Sequence, residues 1–391
     1  MDRPRDQQNT TEHSLPVADE LSMALDEEAA LTERSRRALM AATRWLPGMM
    51  LPSTDGTLQE LAAEARDLGP DLGWDRYGEH GPVAEVEKRV TELLDKPAAA
   101  MFPSGIMAQQ SVLRTWADRQ GSRRVAIPQL SHLLVHEMDG PQLLNGFIYE
   151  RLTHGERQPT VADLKAIPGE LGAVLIELPL RDGGYKLPTW DELVALSQAC
   201  RDRGVPLHVD GARLWESAPH LRHSLAEVAA LADTAYVSFY KGLGGLAGAA
   251  VAGPEDVIEE ARRWRTRHGG TLFSMLPYAL AALRGMREQL PRMAEYHQGA
   301  VDLAALLQER GLRVSPDPPH TNAFRLFVEG TADAINERRL AAMEQDKVVL
   351  CWTFSDATTP GWSWVEFNVG PATMEWDLKE AADAMVELLA G

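Results

Sequence analysis

Cysteine is scarce in this chain. Only Cys200 and Cys351 occur among 391 residues. Two cysteines without metal-ligand spacing provide no disulfide framework and point to a reducing compartment. Positive charge is also in short supply: 39 Lys and Arg stand against 57 Asp and Glu, a formal net charge of −18. A nucleic-acid binder needs a basic face, so this balance argues against that class. No apolar run reaches the roughly 18 residues of a membrane span. The opening MDRPRDQQNTTEHSLP has no apolar core of the kind a secretory signal carries. A cytoplasmic enzyme is therefore the expectation. What remains is an ordinary globular composition, 45% hydrophobic and 25% charged, on a chain long enough for a sizeable core and more than one domain.

The informative stretch is 206–253. An apolar run, Val205–Val209, ends in Asp210, with Gly211, Ala212 and Arg213 following at once. A second β-rich run, Thr234–Phe239, leads to Lys241, and a third, Ala247–Ala252, follows a small-residue linker. Short buried strands separated by helical spacers predict a sheet covered on both faces. In such sheets chemistry sits at the carboxyl ends of the strands, where Asp210 and Lys241 both fall. Singly, an aspartate there is usually a cap or turn residue and a lysine usually lies at the surface. Together they match what pyridoxal phosphate needs, a lysine for covalent attachment and an acid for its pyridinium nitrogen.

Four motifs occur in order: His208–Arg213 (HVDGAR), Ser238–Leu243 (SFYKGL), the small-residue strand Ala247–Gly253, and Ala261–Gly270 (ARRWRTRHGG). On these the chain resembles the threonine aldolase and β-eliminating lyase group of the fold-type I pyridoxal-phosphate enzymes. The resemblance implies an α/β, aspartate-aminotransferase-like fold. Its large domain would hold a mostly parallel sheet covered by helices, and a smaller α+β domain would follow. The expected layout is a disordered tail (1–16), an N-terminal helical segment (17–74), a large cofactor domain (75–285) and a small domain (286–391). The resemblance also implies pyridoxal 5'-phosphate as cofactor, with Lys241 and Asp210 catalytic, Ser238 on the cofactor side, and Arg213 at the ring's 3-hydroxyl or the substrate.

Further candidates lie upstream. Ser104-Gly105-Ile106 opens a helix pattern, and backbone N–H groups at such a start form an anion site. By resemblance it holds the cofactor phosphate, with Ile106 standing where a threonine is usual. A lone Ser-Gly before a helix is otherwise only a cap. His132 and His136 sit four apart, a spacing that suits two zinc ligands on a helix, but no third ligand is evident. The stretch also matches the group's H-x-x-x-x-E pattern, ending at Glu137, which makes His132 the ring that stacks on the pyridine and a candidate base. DRYGEHGP (Asp75–Pro82) resembles a segment that approaches the partner subunit's site, so Tyr77 is a candidate substrate contact; the alternative is an exposed turn. After the strand-like Ala173–Leu180, Glu177 and Arg181 take the place of an asparagine usual in the group, and Arg181 is a candidate anion binder.

Two departures stand out. Phe273 occupies the position of a phosphate-binding arginine, for which Arg267 is a nearby substitute. Glu366 occupies that of the arginine expected to bind the substrate carboxylate, and a carboxylate would repel a carboxylate. Arg325 is one alternative, otherwise a surface strand residue. Trp352, Trp362 and Trp364 near Glu366 read as pocket or core. Helical spacing predicts helices over Glu27–Leu46 and Tyr278–Leu307. The C-terminal part reads as a βαβ-like set, with strands in Arg313–Val328 and Val348–Val369 around a helix Ala332–Gln345.

The expected reaction is cleavage of the Cα–Cβ bond of a β-hydroxy-α-amino acid to glycine and an aldehyde, in a homodimer or homotetramer. Its rivals are β-elimination or other chemistry at the α-carbon, and a non-catalytic binding protein on the same fold.

Overall fold

A computed structural model describes residues 30–50 and 52–390. The 1–16 tail lies outside them. Seven strands form the central sheet, in the spatial order Ala98–Phe102, Ala249–Gly253, Thr234–Ser238, Leu207–Gly211, Ala173–Glu177, Arg124–Pro128, Ile148–Thr153. The sheet is parallel except for Ala249–Gly253, which runs antiparallel to both its neighbours. The runs AVLIE, LHVDG, TAYVS and AAVAG are buried at every position. That pattern belongs to a sheet with both faces covered. At one edge the strands are alanine-rich, which lets the helices Gly105–Gln120 and Glu255–Arg267 pack close through Ala108, Val112 and Ala261. The small-residue strand begins at Ala249 rather than Ala247, because Gly248 takes φ +92° in the turn before it.

The segment expected as one helix over Tyr278–Leu307 is two, Leu276–Glu288 and Met293–Glu309. Pro291 lies in the 3-10 turn Leu290–Arg292 between them; proline lacks the N–H that a continuous helix requires. The C-terminal sheet is antiparallel throughout, not βαβ-like. Its order is Ser355–Asp356, Trp362–Asn368, Ala323–Glu329, Arg313–Ser315. Its longest pair aligns Arg325 with Glu366.

The N-terminal helix covers 30–41 and stops short of Leu46. The N–H groups of Thr43 and Arg44 both turn to the Lys347 carbonyl, and Arg44–Trp45 pairs in parallel with Val348–Val349. Tertiary pairing with residues 347–349 overrides the helical spacing there. Among the described residues no helix is long and apolar enough to cross a membrane. Both cysteines are free and buried, and burial pushes each thiol up to about 12, so neither is a ready nucleophile.

Candidate active site

One cleft lies at the carboxyl edge of the central sheet. Its lining includes Gly105, Ile106, His132, Arg181, Asp210, Arg213 and Lys241. Seven residues scattered over 137 positions of sequence are thus brought to one place by the ends of five strands.

Asp210 is the penultimate residue of its strand and is 2% exposed. One of its oxygens accepts the Ala212 N–H at 3.1 Å. Burial raises its pKa, an effect opposed by the nearby Lys241 charge. Lys241 sits three residues past the end of Thr234–Ser238. Burial, and then the Arg213 charge, lower its ammonium to about 8, while Asp210, Glu177 and Glu216 oppose the shift. A half-buried amine with that pKa is far more often neutral at physiological pH than a surface lysine.

The opposite wall is the start of helix Gly105–Gln120. Ser104 is its N-cap, and the Ser104 Oγ accepts the Met107 N–H at 3.3 Å. Gly105 is dictated by close approach: a Cβ there would overlap the Tyr236 hydroxyl. Tyr236 lies in the strand that leads to Lys241, so the helix start and the lysine strand are fitted to one another.

His132 opens the short helix His132–Val135. Its Nδ1 lies 3.2 Å from Glu137 Oε1, and that hydrogen bond raises the imidazole pKa against the effect of burial. The His136 ring is tilted beside it at 5.0 Å, and His136 Nε2 binds Asp182 Oδ2 at 2.8 Å. The two histidines therefore hold different carboxylates, one at the cleft and one at its rim.

Arg181 follows the strand Ala173–Glu177. Its Nε and Nη2 both donate to Glu366 Oε2, at 3.2 and 2.8 Å, and the Tyr185 hydroxyl donates to the same oxygen at 2.8 Å. Tyr185 holds φ +62°, an uncommon conformation for so bulky a residue, and the Arg213 guanidinium stands 5.4 Å from its ring centroid. Arg213 has no ion-pair partner among the described residues and faces the cleft as a free cation.

Several expected contacts fall elsewhere. Glu366 does not line the cleft; it stands behind Arg181 and neutralises it, so the repulsion expected of an acid at that position is relieved by an ion pair from the C-terminal sheet to the loop after Ala173–Glu177. Arg325 is not a surface residue. It is 7% exposed and donates to the Arg181 and Asp182 carbonyls at 3.4 and 3.0 Å. Trp362 and Trp364 lie on the same face of their strand as Glu366, covered by Arg313 and Arg325 respectively, and Trp352 donates to Asn368 Oδ1 at 3.0 Å. Arg267 pairs with Glu260 on an exposed helix face, so it is no phosphate clamp. Ser238 is fully buried, its carbonyl accepting the Trp215 Nε1–H at 2.8 Å. Tyr77, expected at a partner subunit's site rather than in its own chain's cleft, is 58% exposed and packs edge-on against Phe273 at 5.4 Å.

Sequence reasoning gave no role to Glu177, although an acid closing the all-buried run AVLIE is itself a signal. It lines the cleft beside Asp210, its partner in the strand register.

The chain matches the sequence model of the family described as beta-eliminating lyase over residues 56–331. A solved structure of a putative L-allo-threonine aldolase from Listeria monocytogenes EGD-E is 34% identical, covers 92% of this chain and 99% of its own, and superposes with a TM-score of 0.84. Aldolase vrtJ of Penicillium aethiopicum is 33% identical over 71% of this chain and 72% of its own length. The low specificity L-threonine aldolase of Escherichia coli K12 is 26% identical over 68% of this chain and 80% of its own.

Proposed function

The chain belongs to the beta-eliminating lyase family, and on that premise we propose that it is a pyridoxal-phosphate-dependent aldolase that cleaves a β-hydroxy-α-amino acid to glycine and an aldehyde. The observation that carries this reading is the single cleft holding Lys241, Asp210, His132 and two arginines. The residues present fit the cofactor. A buried acid suits a pyridinium, a lysine lowered to about 8 suits covalent attachment, and the N–H groups of Gly105 and Ile106 at a helix start suit a phosphate. When bound, the cofactor supplies an electron sink for the carbanion formed at the substrate Cα.

The protein's own groups do the rest. Lys241 would be the covalent anchor and Asp210 would hold the proton on the ring nitrogen. His132 would face the ring and take the proton of the β-hydroxyl, directly or through a water. As that proton leaves, the Cα–Cβ bond breaks and the aldehyde departs; a proton returned to Cα gives glycine. Arg213 and the remaining N–H edge of Arg181 hold the substrate carboxylate, a task for which a planar guanidinium is suited. Tyr77, Phe273 and Trp74, three exposed aromatics outside the cleft, support a homodimer in which this surface meets the partner.

The test is a screen of purified holoenzyme with β-hydroxy amino acids, glycine plus aldehydes, and amino acids bearing a leaving group at Cβ. Aldehyde and glycine are the expected products. Pyruvate and ammonia from the last class alone would replace aldol cleavage with β-elimination.

A further inference from the structure

Glu177 is a fully buried acid that the proposed chemistry leaves without a task. Its Oε2 accepts the backbone N–H of His132 at 2.9 Å, and its Oε1 accepts the backbone N–H of Arg181 at 3.1 Å. Those two amides belong to loops 49 positions apart in sequence. One carries the ring that faces the cofactor; the other carries the arginine that faces the substrate. Both loops leave the carboxyl ends of neighbouring parallel strands, Arg124–Pro128 and Ala173–Glu177. Backbone pairing between those strands covers only Val125 and Ala126 with Ala173 and Val174. Beyond that register, the Glu177 side chain is a direct link between the loops.

The chemistry of the link is specific. Two N–H donors converge on one side chain, and only a group with two acceptor oxygens satisfies both. An asparagine or glutamine would turn an NH2 toward one of the donors. An acid is therefore required at a position where its charge is costly, since Asp210 is its direct neighbour on the next strand. Burial, and then the Asp210 charge, push the Glu177 carboxyl up to about 7, and the two N–H groups pull it back down.

We infer that Glu177 is a positioning residue that sets His132 and Arg181 relative to one another, so that the cofactor-covering ring and the substrate-binding guanidinium are fixed by one buried carboxylate. This rests on the proposed roles of His132 and Arg181, and it goes beyond them by making the two sites interdependent. Arg181 is then held at three points: its N–H by Glu177, its carbonyl by Arg325 and its guanidinium by Glu366.

The experiment compares Glu177→Gln, Glu137→Gln and Arg181→Ala. Two affinities are read: pyridoxal phosphate for the apoprotein, by absorbance titration, and glycine for the holoenzyme, by the change in its visible spectrum. Glu137→Gln should weaken mainly the first and Arg181→Ala mainly the second. Glu177→Gln should weaken both, each by roughly tenfold, with KM rising more than kcat falls. A Glu177→Gln protein that moves only one affinity, or neither, overturns the inference. Should that variant fail to fold, Glu177→Asp serves: the shorter side chain can reach only one amide, so one affinity should hold and the other fall. A folded Glu177→Asp protein with both affinities intact overturns it as well. If no amino acid is cleaved by the wild type while the paired losses still appear, the reaction assignment fails and the positioning role stands.

Discussion

The edge of the central sheet and the C-terminal sheet treat charge in opposite ways. At the sheet edge, a buried Asp210 and a half-buried Lys241 share one cleft, and Arg213 is left without an ion-pair partner among the described residues. Unmatched charge is the working material there, because a free cation and a lysine of lowered pKa can each engage a ligand. On the C-terminal sheet, Glu366 and Arg325 are matched by partners outside it: Glu366 by Arg181, Arg325 by Glu156 and two carbonyls. Charge on those two strands holds the sheet edge in place. The difference separates groups that meet the ligand from groups that hold those groups.

The largest effect should come from Lys241. Lys241→Ala should lose the visible absorption band of the holoenzyme and at least about a thousandfold of turnover. A variant that kept the band and a borohydride-reducible linkage would place the anchor elsewhere. Next comes a direct contrast between the two regions. Arg181→Ala should lower kcat/KM by roughly 30- to 1000-fold, the equivalent of about 2–4 kcal/mol for a charge-assisted fork to a carboxylate. Arg325→Ala removes only the brace behind it and should cost at most about tenfold. Equal losses in the two variants would erase the distinction between meeting the ligand and holding it.

A smaller effect concerns pH. The neutral amine of Lys241 is the reactive form, and its ammonium titrates near 8. Uptake of pyridoxal phosphate by the apoprotein should therefore accelerate about tenfold per pH unit below 8 and level off above it. A rate still climbing steeply at pH 9.5, followed by stopped-flow absorbance, would mean that burial does not lower this lysine. The smallest effect is expected at Glu137, whose hydrogen bond raises the His132 pKa. A base must be unprotonated, so the acid limb of the kcat/KM profile reports that pKa. Glu137→Gln should move this limb to lower pH and leave the alkaline side unchanged. An unmoved limb would remove His132 from the role of base.

The sheet edge was legible in the sequence, and the C-terminal sheet was much less so. Asp210, Arg213 and Lys241 stand in short motifs at the ends of buried runs, and a strand end fixes where its next residues go. His132 was legible through the acid five residues on, which the fold does place at its ring. Glu366 could not be read this way, because the residue that explains it lies 185 positions upstream. Arg325 reads from sequence as a surface strand residue, yet it reaches the carbonyls of the loop at Arg181 and Asp182. The N-terminal helix was overextended for the same reason: its last residues are claimed by Lys347 and Val349, which no local pattern announces.

The contact between Gly105 and Tyr236 sets a limit on how this protein can vary. Even alanine at 105 would have to displace the Tyr236 ring, and the next residues of that strand lead straight to Lys241. A library randomised at both positions should therefore recover them as a matched set, with any side chain at 105 tolerated only beside a smaller residue at 236. Drift at the helix start and drift in the lysine strand are, on this account, a single evolutionary event.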